Sequence, residues 1–392
     1  MHSGSGGDGW ELGSGSQNWL TLPPSLRSFC DLTLADVEAL RPPGSATFLL
    51  GQLHRPKRWM QRGEGVVEET AAPVLGQKLR TFVETHFDLG LPQVVARQAS
   101  SDGSTKLLLR LSDGLTIETV HMPRAVRNPR VTLCLSSQVG CAMGCTFCRT
   151  ASMGLVRNLT AAEIVAQVLV ALRVLGPDDT GRVTLVFMGM GEPLHNLVAV
   201  QRAIAVLCEP TGLGLPPLRI TVSTAGLADG IRAIAGWATA VRPCLALSVN
   251  ATTDSKRSLT MPLTKRHGLA ELRGALEGFP LRPHEKITLE YVLLRGQNDH
   301  ADDVERLADF ARGLRCVINV IPWNGYAEGG FATPEEADIE RFSRGLLARG
   351  CFVTVRRSRG RDVGGACGQL ATARGEDASF GRFRESIRGG QR

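Results

Sequence analysis

The sequence predicts an α/β protein: a partial (β/α)6-type barrel that follows a small N-terminal helical domain and a β-hairpin lead-in. From about residue 131 onward, short apolar strands alternate with amphipathic helices at roughly 30-residue intervals, which is typical of βα units on a parallel sheet. Just before this region, two strand-like runs flank Ser112-Asp113-Gly114, a turn sequence that predicts an antiparallel hairpin. With 392 residues, 43% of them hydrophobic and 21% charged, the chain has the composition of a globular protein.

The N-terminal third divides into three segments. Residues 1–28 are rich in Gly and Ser and cannot bury enough apolar surface to order themselves, so we predict a flexible tail. Residues 29–92 carry short helical patterns at 34–40 and 79–87, and 93–125 form the hairpin lead-in with strands at 94–97, 106–111 and 115–122. The helical segment contains basic residues suited to nucleic acid, namely Arg55, Lys57, Arg58 and Arg62.

The core is predicted to span residues 126–373 and to be followed by a basic tail, 374–392. Its strands are expected at 131–135, 183–188, 219–223, 245–249, 287–293, 317–321 and 352–356. One helix is coded locally at both ends, because Thr160 and Glu163 form a capping-box pattern and Gly176-Pro177 ends the apolar periodicity. Six or seven such units indicate an incomplete barrel.

Charge and cysteine content narrow the functional class. Lys plus Arg exceed Asp plus Glu by 45 − 38 = 7, which suits a polyanionic partner but equally describes a solvated basic surface. The N-terminus lacks the basic start and apolar core of a secretory signal, and no apolar run approaches the ~20 residues of a membrane span. We therefore expect a cytoplasmic protein without membrane attachment, in which a local cysteine cluster indicates metal binding or catalysis.

Three thiols stand within eight residues at Cys141, Cys145 and Cys148, directly after a predicted strand. Soft thiolates at this spacing can bind one metal centre from a tight loop. A structural zinc site would need a fourth ligand, which no nearby Cys-x-x-Cys or His pair provides. A [4Fe-4S] cluster with one open coordination position is the favoured interpretation, with zinc or unrelated buried thiols as the alternatives.

This Cys-x-x-x-Cys-x-x-Cys loop after the first barrel strand resembles the radical S-adenosylmethionine (SAM) superfamily. Its members bind SAM at the open iron and cleave it reductively to a 5′-deoxyadenosyl radical. The run Met188-Gly189-Met190-Gly191-Glu192-Pro193 agrees, since glycines at a strand end let a ligand approach the backbone and Glu192 can pair with an ammonium group. Taken alone, the same run could be a tight turn with a solvated Glu.

Further motifs narrow the resemblance to the RlmN/Cfr family of RNA adenine methyltransferases, over about residues 32–370. They are Cys134-Leu-Ser-Ser-Gln-Val-Gly-Cys141, Gly154-Leu-Val-Arg-Asn158-Leu-Thr160, Gly191-Glu-Pro-Leu-His-Asn196, Ile321-Pro-Trp-Asn324 and Ala366-Cys367-Gly-Gln-Leu370. Pro193, Asn196 and the run 157–160 favour the RlmN branch. The resemblance implies methylation of adenine C2 at adenosine 2503 of 23S rRNA and, in some members, adenosine 37 of tRNA. The alternatives are Cfr-like C8 methylation and a non-catalytic metal- and RNA-binding paralogue.

The resemblance also implies the residue roles. Cys367 matches the cysteine that carries the methyl group, Cys134 the cysteine that resolves the RNA adduct by a disulfide with it, and Glu118 the proton acceptor. Two SAM molecules per turnover, a low-potential electron donor such as flavodoxin, an rRNA or tRNA partner and a monomeric enzyme follow from the same resemblance. The cysteines outside these motifs are interpreted as packing residues: Cys30, Cys208, Cys244, Cys316 and Cys351.

The expected SAM contacts carry over by motif: Gly191, Glu192, Ser223, Ser248, Val249, Asn250 and Asn324. Two positions depart from the family, because Asn250 replaces a His and Thr264 replaces an Asn. Asn250 can still donate hydrogen bonds but cannot take a proton. The arginines at 356, 357, 359 and 361 are candidates for RNA phosphate contacts, with a charged loop pairing with Asp362 as the equal alternative.

Overall fold

The computed structural model describes residues 26–54, 75–124, 130–175, 182–326 and 329–371. Its first part contains the helices α1 (Leu34–Ala39), α2 (Ala46–Leu53) and α3 (Gln77–His86), and a parallel pair of two-residue strands, β1 (Arg27–Ser28) and β2 (Phe87–Asp88). The helices predicted at 34–40 and 79–87 are confirmed, whereas α2 was not predicted. The tail 1–25, the residues 372–392 and the basic positions Arg55, Lys57, Arg58 and Arg62 lie outside the described ranges.

An antiparallel ribbon follows, made of β3 (Gln93–Ala99), β4 (Thr105–Arg110) and β5 (Thr116–Arg124). The predicted turn between β4 and β5 is present. The Asp113 carboxylate accepts the Leu115 amide over 3.1 Å, and Gly114 has φ +87°, a left-handed conformation that favours glycine. The hairpin prediction is therefore confirmed, with β3 as its third strand.

The remaining strands are β6 (Arg130–Cys134), β7 (Gln138–Gly140), β8 (Leu155–Asn158), β9 (Val183–Phe187), β10 (Ile220–Thr224), β11 (Cys244–Ser248), β12 (Ile287–Leu293), β13 (Cys316–Pro322) and β14 (Val353–Val355). Seven of them, β6 and β9 to β14, pair in parallel and in chain order. All seven correspond to predicted strands. The antiparallel ribbon extends the sheet through β5 beside β6, so the ten-stranded sheet ends at β3 and β14. The predicted partial barrel is thereby confirmed.

The helices of the core are α4 (Arg149–Ser152), α5 (Ala161–Leu175), α6 (Leu197–Cys208), α7 (Ala228–Ala235), α8 (Asp254–Thr260), α9 (Leu269–Glu277), α10 (Ala301–Ala311) and α11 (Glu336–Ala348). The capping box of α5 is present: Thr160 N donates to Glu163 over 2.8 Å, and Glu163 N donates to the Thr160 hydroxyl over 3.1 Å. No helix in the described part of the chain combines the length and the apolar character that a membrane crossing requires.

The N-terminal helices share one hydrophobic core with the barrel. Buried side chains form a continuous cluster that includes Phe29 and Val37 as well as barrel residues such as Leu289. Arg202 on α6 strengthens this junction, since its guanidinium donates to the side chains of Asp31 over 2.8 Å and Asp36 over 2.6 Å. The N-terminal segment is therefore packed against the helices that surround the barrel strands.

Candidate active site

The three clustered cysteines lie in a loop that a small antiparallel ladder holds closed. Strands β7 and β8 flank this loop, and the main-chain amide of Cys141 donates to Gly154 O over 2.9 Å. At Gly140, φ is +75° and a Cβ would lie 1.8 Å from Gly154 O, so the crossing of the two strands requires glycine. The sequence motifs predict the three cysteines but not this ladder, because its two strands have only three and four residues.

All three thiols of this loop line one cavity of about 970 Å³ at the carboxyl ends of the barrel strands. Burial raises the pKa of Cys141 to about 12 and that of Cys145 well above its usual value, and the neighbouring Cys148 thiol raises both further. Such thiols ionise only beside a strong positive charge, which iron provides.

Within the described ranges, no three His, Cys, Asp or Glu side chains are grouped to hold a single metal ion. A cubane does not require such a group, because each of its cysteines binds a different iron atom. The donor set therefore fits the iron–sulfur cluster: three unpaired thiols on one cavity wall, with no fourth protein thiolate in the loop.

The cavity also gathers most of the predicted SAM contacts. The residues that line it include Gly191, Glu192, Ser223, Ser248, Asn250 and Asn324. Val249 is the exception, because its side chain is fully buried in the core and its main-chain amide donates to Glu290 O over 2.9 Å. Its main chain can still shape the loop, but its side chain does not reach the cavity.

Glu192 lines this cavity, and main-chain amides fix its carboxylate. Its oxygens accept from Leu194 N over 3.0 Å and from Ala225 N over 2.7 Å. Burial raises its pKa to about 7, against the lowering effect of these hydrogen bonds. Gly191 beside it has φ +100°, and a Cβ there would lie 2.6 Å from Gln138, so this wall also requires glycine. The carboxylate is suited to an ammonium ligand.

Asn250, the first of the two departures from the family, lies where β11 and β12 end. Asn250 has φ +55°, a left-handed conformation that Asn tolerates better than most side chains. Its Oδ1 accepts from Val292 N over 2.8 Å, and Asn298 Nδ2 donates to its carbonyl oxygen over 2.8 Å. The residue therefore holds the β11 and β12 ends together while it lines the cavity.

The second departure, Thr264, belongs to a contact that the sequence did not reveal. Arg257 is completely buried and donates to Thr264 Oγ1 over 2.9 Å. It also donates to the carbonyl oxygens of Ser248, Val249 and Ala225. One guanidinium thus joins the loops after β10 and β11, where SAM contacts are predicted, and burial lowers its pKa to about 10.

A second cavity, of about 1280 Å³, adjoins the first and brings the two distant cysteines together. Cys134 and Cys367 both line it, although 233 residues separate them in the chain. Cys367 lines the first cavity as well, so it lies in the wall between the two. Burial raises the pKa of both thiols, and the positive charge of Arg356 acts to lower both.

Glu118 lies near this pair without lining either cavity. On β5 its neighbour Val120 pairs with Cys134 on β6, so Glu118 and Cys134 face the same side of the sheet as diagonal neighbours. Its carboxylate contacts Lys106 over 2.9 Å and accepts the Ala371 amide over 2.9 Å. Burial raises the pKa of Glu118 and Lys106 opposes that rise. The carboxylate thus anchors the end of the segment that carries Cys367.

Within the predicted arginine run, Arg356 lines both cavities, whereas the other three arginines do not. Arg357 pairs with Glu336, Arg359 bonds the carbonyl oxygens of Pro123 and Asp102, and Arg361 is exposed. Asp362 accepts instead from the Ser100 hydroxyl over 2.5 Å and from Ser101 N over 3.0 Å. The alternative in which this run pairs with Asp362 is therefore wrong, because Asp362 bonds Ser100 and Ser101, whereas the RNA phosphate contacts stay a prediction.

Barrel, cysteine loop and cavity define a class, the radical SAM enzymes. The Radical SAM superfamily model matches residues 135–311. The chain is 45% identical over 303 residues, 76% of this chain and 84% of the other, to a Dual-specificity RNA methyltransferase RlmN of Lawsonia intracellularis. With a protein of the same name from Syntrophotalea carbinolica it shares 42% over 333 residues, 85% of this chain and 86% of the other.

A solved structure supports the same assignment. A radical SAM methyltransferase from Sphaerobacter thermophilus superposes with a TM-score of 0.78 at 38% identity, covering 88% of this chain and 100% of that one. The chain belongs to the RlmN family of dual-specificity RNA methyltransferases. The RlmN branch favoured by the sequence motifs is thereby confirmed. Membership implies a [4Fe-4S] cluster and SAM as cofactors, and RNA as substrate.

Proposed function

We propose that this enzyme methylates C2 of adenine in RNA, at adenosine 2503 of 23S rRNA and at adenosine 37 of tRNA, with Cys367 as the methyl carrier. The observation that carries the proposal is the position of Cys367, which lines both cavities. A carrier has to meet SAM on one side and the RNA base on the other. C2 of adenine is electron-poor, so direct polar transfer from SAM has no workable route.

In this proposal Cys141, Cys145 and Cys148 hold the cluster, and Gly191, Glu192, Ser223, Ser248, Asn250 and Asn324 hold SAM. The bound cluster supplies the electron that splits SAM into methionine and a 5′-deoxyadenosyl radical. Glu192 binds the amino group of SAM, while Val249 shapes the loop through its main chain. The walls of the cavity keep the radical away from water.

Two SAM molecules are consumed for each methyl group. The Cys367 thiolate takes the methyl group of the first and releases S-adenosylhomocysteine. The S-methyl group gives a hydrogen atom to the radical from the second, and the methylene carbon bonds to C2 of the base. Glu118 then accepts the C2 proton, and the one electron that the adduct gives up returns to the cluster, which was oxidised when it reduced SAM.

The Cys134 thiolate releases the product by attacking the sulfur of Cys367. An S–S bond forms and the S–CH2 bond breaks, with its electron pair and a proton completing the methyl group on C2. Two electrons from a cellular thiol reductant later reduce the disulfide. We infer a low-potential donor such as flavodoxin for SAM cleavage, and a monomeric enzyme in the cytoplasm, where both RNAs are used.

The test is anaerobic reconstitution with iron, sulfide, reductant, SAM and an rRNA fragment or tRNA, followed by mass spectrometry of the nucleosides. The intact enzyme should yield 5′-deoxyadenosine, S-adenosylhomocysteine and C2-methyladenosine. Cys367→Ala should yield no methylated base, and Cys134→Ala should accumulate a covalent protein–RNA adduct. Cys351→Ala, which changes a thiol outside both cavities, is the matched control and should behave as the intact enzyme. C8-methyladenosine, or SAM binding without 5′-deoxyadenosine, would overturn the proposal.

A further inference from the structure

Arg356 differs from the neighbouring arginines in where its side chain lies. It lines both cavities, as Cys367 does, and its side chain retains 31% exposure at this depth. It shares the lining of the second cavity with Cys134 and Cys367, and its positive charge acts to lower the pKa of both thiols. Arg356 is thus a cation placed where the methyl carrier would meet a base.

The guanidinium keeps unused hydrogen-bond donors. Within the described residues its side chain makes one hydrogen bond, from Nη1 to Met188 Sδ over 3.0 Å, although a guanidinium offers five N–H groups. Sulfur is a weak acceptor, so this contact satisfies little of the donor capacity. A partly exposed cation with free donors on a cavity wall is suited to a ligand that presents acceptors.

Glu290 supports the guanidinium from behind. Its Oε1 lies 3.7 Å from Arg356 Nη1 and accepts from Asn319 Nδ2 over 3.2 Å. Its Oε2 is buried without a hydrogen-bond partner, and the side chain is 5% exposed. Glu290 also lines the first cavity. The carboxylate therefore orients one edge of the guanidinium and leaves the remaining N–H groups directed elsewhere.

The chemistry of the base explains what those donors could do. In adenine, C2 lies between two ring nitrogens, N1 and N3, and both are hydrogen-bond acceptors. When a sulfur-stabilised carbon radical adds to C2, electron density moves onto these nitrogens. A cationic donor at either nitrogen stabilises that density as it develops, as preorganised donors do in other enzymes.

We propose that Arg356, oriented by Glu290, donates a hydrogen bond to a ring nitrogen beside C2 of the target adenine and thereby activates the base for attack by the Cys367 carbon. This inference rests on the proposed function and adds the residue that binds and polarises the substrate base. Arg356 is a base-binding residue, and Glu290 is its positioning residue.

The experiment combines variants with altered bases. Enzyme that already carries S-methylated Cys367, verified by intact mass, is mixed with RNA whose target is adenosine, 1-deazaadenosine or 3-deazaadenosine, and single-turnover rates are measured. Because this enzyme already carries the methyl group, the measured rate does not include the transfer of a methyl group from the first SAM to Cys367. Arg356→Lys should slow reaction of the natural base about 10- to 100-fold, the value of one charged hydrogen bond.

The decisive readout is the interaction between protein and base changes. Replacing the contacted nitrogen by CH should lower the single-turnover rate of the intact enzyme. The factor of this loss should be about 10- to 100-fold larger than the factor for the Arg356→Lys or Glu290→Gln variant. Replacing the other nitrogen should cost all three enzymes equally. Arg357→Ala is the matched control: its partner Glu336 is exposed, so it should weaken binding of all three RNAs alike.

Equal deaza penalties in the intact enzyme and in both variants would overturn the inference while leaving the proposed function standing. Failure of the intact enzyme to methylate natural RNA at C2 would instead overturn the proposed function. If Arg356→Lys does not fold, Glu290→Gln carries the same comparison, because it keeps the guanidinium and removes the negative charge that orients it.

Discussion

The side-chain amide of Asn324 donates a hydrogen bond to the main-chain carbonyl oxygen of Cys367 over 3.1 Å. Its second N–H donates to Ser358 Oγ over 2.8 Å. A residue expected from its motif to contact SAM therefore also holds the segment that carries the proposed methyl carrier. The same side chain can set the position of SAM and of the sulfur that reacts with it.

The Asn324→Ala variant should methylate Cys367 about fivefold more slowly at saturating SAM, because an anchoring hydrogen bond contributes about 1 kcal/mol to that geometry. The rate of S-methylation, followed by intact mass, measures the effect. Ser358→Ala removes only one of the two acceptors and should have a smaller effect. An unchanged rate in Asn324→Ala would show that the amide does not position the carrier.

Cys145→Ser should abolish the iron–sulfur cluster, because the loop then presents two thiolates and a hydroxyl that does not ionise. Iron content and visible absorption of anaerobically reconstituted protein measure this loss. Cys351→Ser alters a thiol that lines neither cavity and should keep full iron content. Equal iron in the two variants would contradict the assignment of the cluster to this loop.

Arg257→Lys should lower the free energy of unfolding by about 3 kcal/mol, because an ammonium cannot serve the four acceptors that the buried guanidinium now joins. SAM affinity should fall together with stability, since two of these acceptor residues, Ala225 and Ser248, line the cavity that is predicted to hold SAM. Denaturant titration and SAM binding are the two measurements. Arg344→Ala removes an exposed ion pair with Glu340 and should change stability by less than about 1 kcal/mol.

Lys106→Met should shift the acid limb of the RNA methylation profile to higher pH. Burial raises the pKa of Glu118 and Lys106 opposes that rise, so removing the ammonium raises the pKa further. A proton acceptor works only when ionised, and a higher pKa requires a higher pH for the same ionised fraction.

The matched control for this prediction is Lys286→Met, which removes the same charge from a side chain that packs over the Phe352 ring, 3.7 Å from its centroid. Rate against pH for the two variants and the intact enzyme decides the role of Glu118. Coincident acid limbs would mean that Glu118 only anchors Ala371.

Patterns that depend on near neighbours in sequence were predictable. All seven parallel strands follow from short apolar runs, and the start of α5 follows from the reciprocal bonds of Thr160 and Glu163. The cysteine loop could be predicted from the spacing of its three cysteines alone. Each of these signals lies within a few residues, where physical chemistry allows few alternatives.

The supporting residues of the site were not predictable, since their partners are distant in the chain. Arg257 looks like any helix arginine until the fold surrounds it with carbonyl oxygens from two other loops. Arg356 could not be separated from Arg357 by sequence, because the direction of each side chain is set by Glu290 in one case and Glu336 in the other. By contrast, α2 was missed although it carries a local signal: the Ser45 hydroxyl caps its start by accepting from Phe48 N over 3.2 Å.

The sheet ends at β3 and β14, and these two edge strands do not pair with each other. The segment after β14 spans the gap instead, fastened at the β3–β4 turn where Asp102 accepts from Gly360 N over 2.8 Å and Asp362 from Ser101 N over 3.0 Å. A main-chain ladder has hydrogen bonds along its whole length, whereas the junction between the β3–β4 turn and the segment after β14 is held by a few hydrogen bonds. Separating this turn from this segment to admit a macromolecule would therefore break only a few hydrogen bonds and leave every strand pairing of the ten-stranded sheet intact.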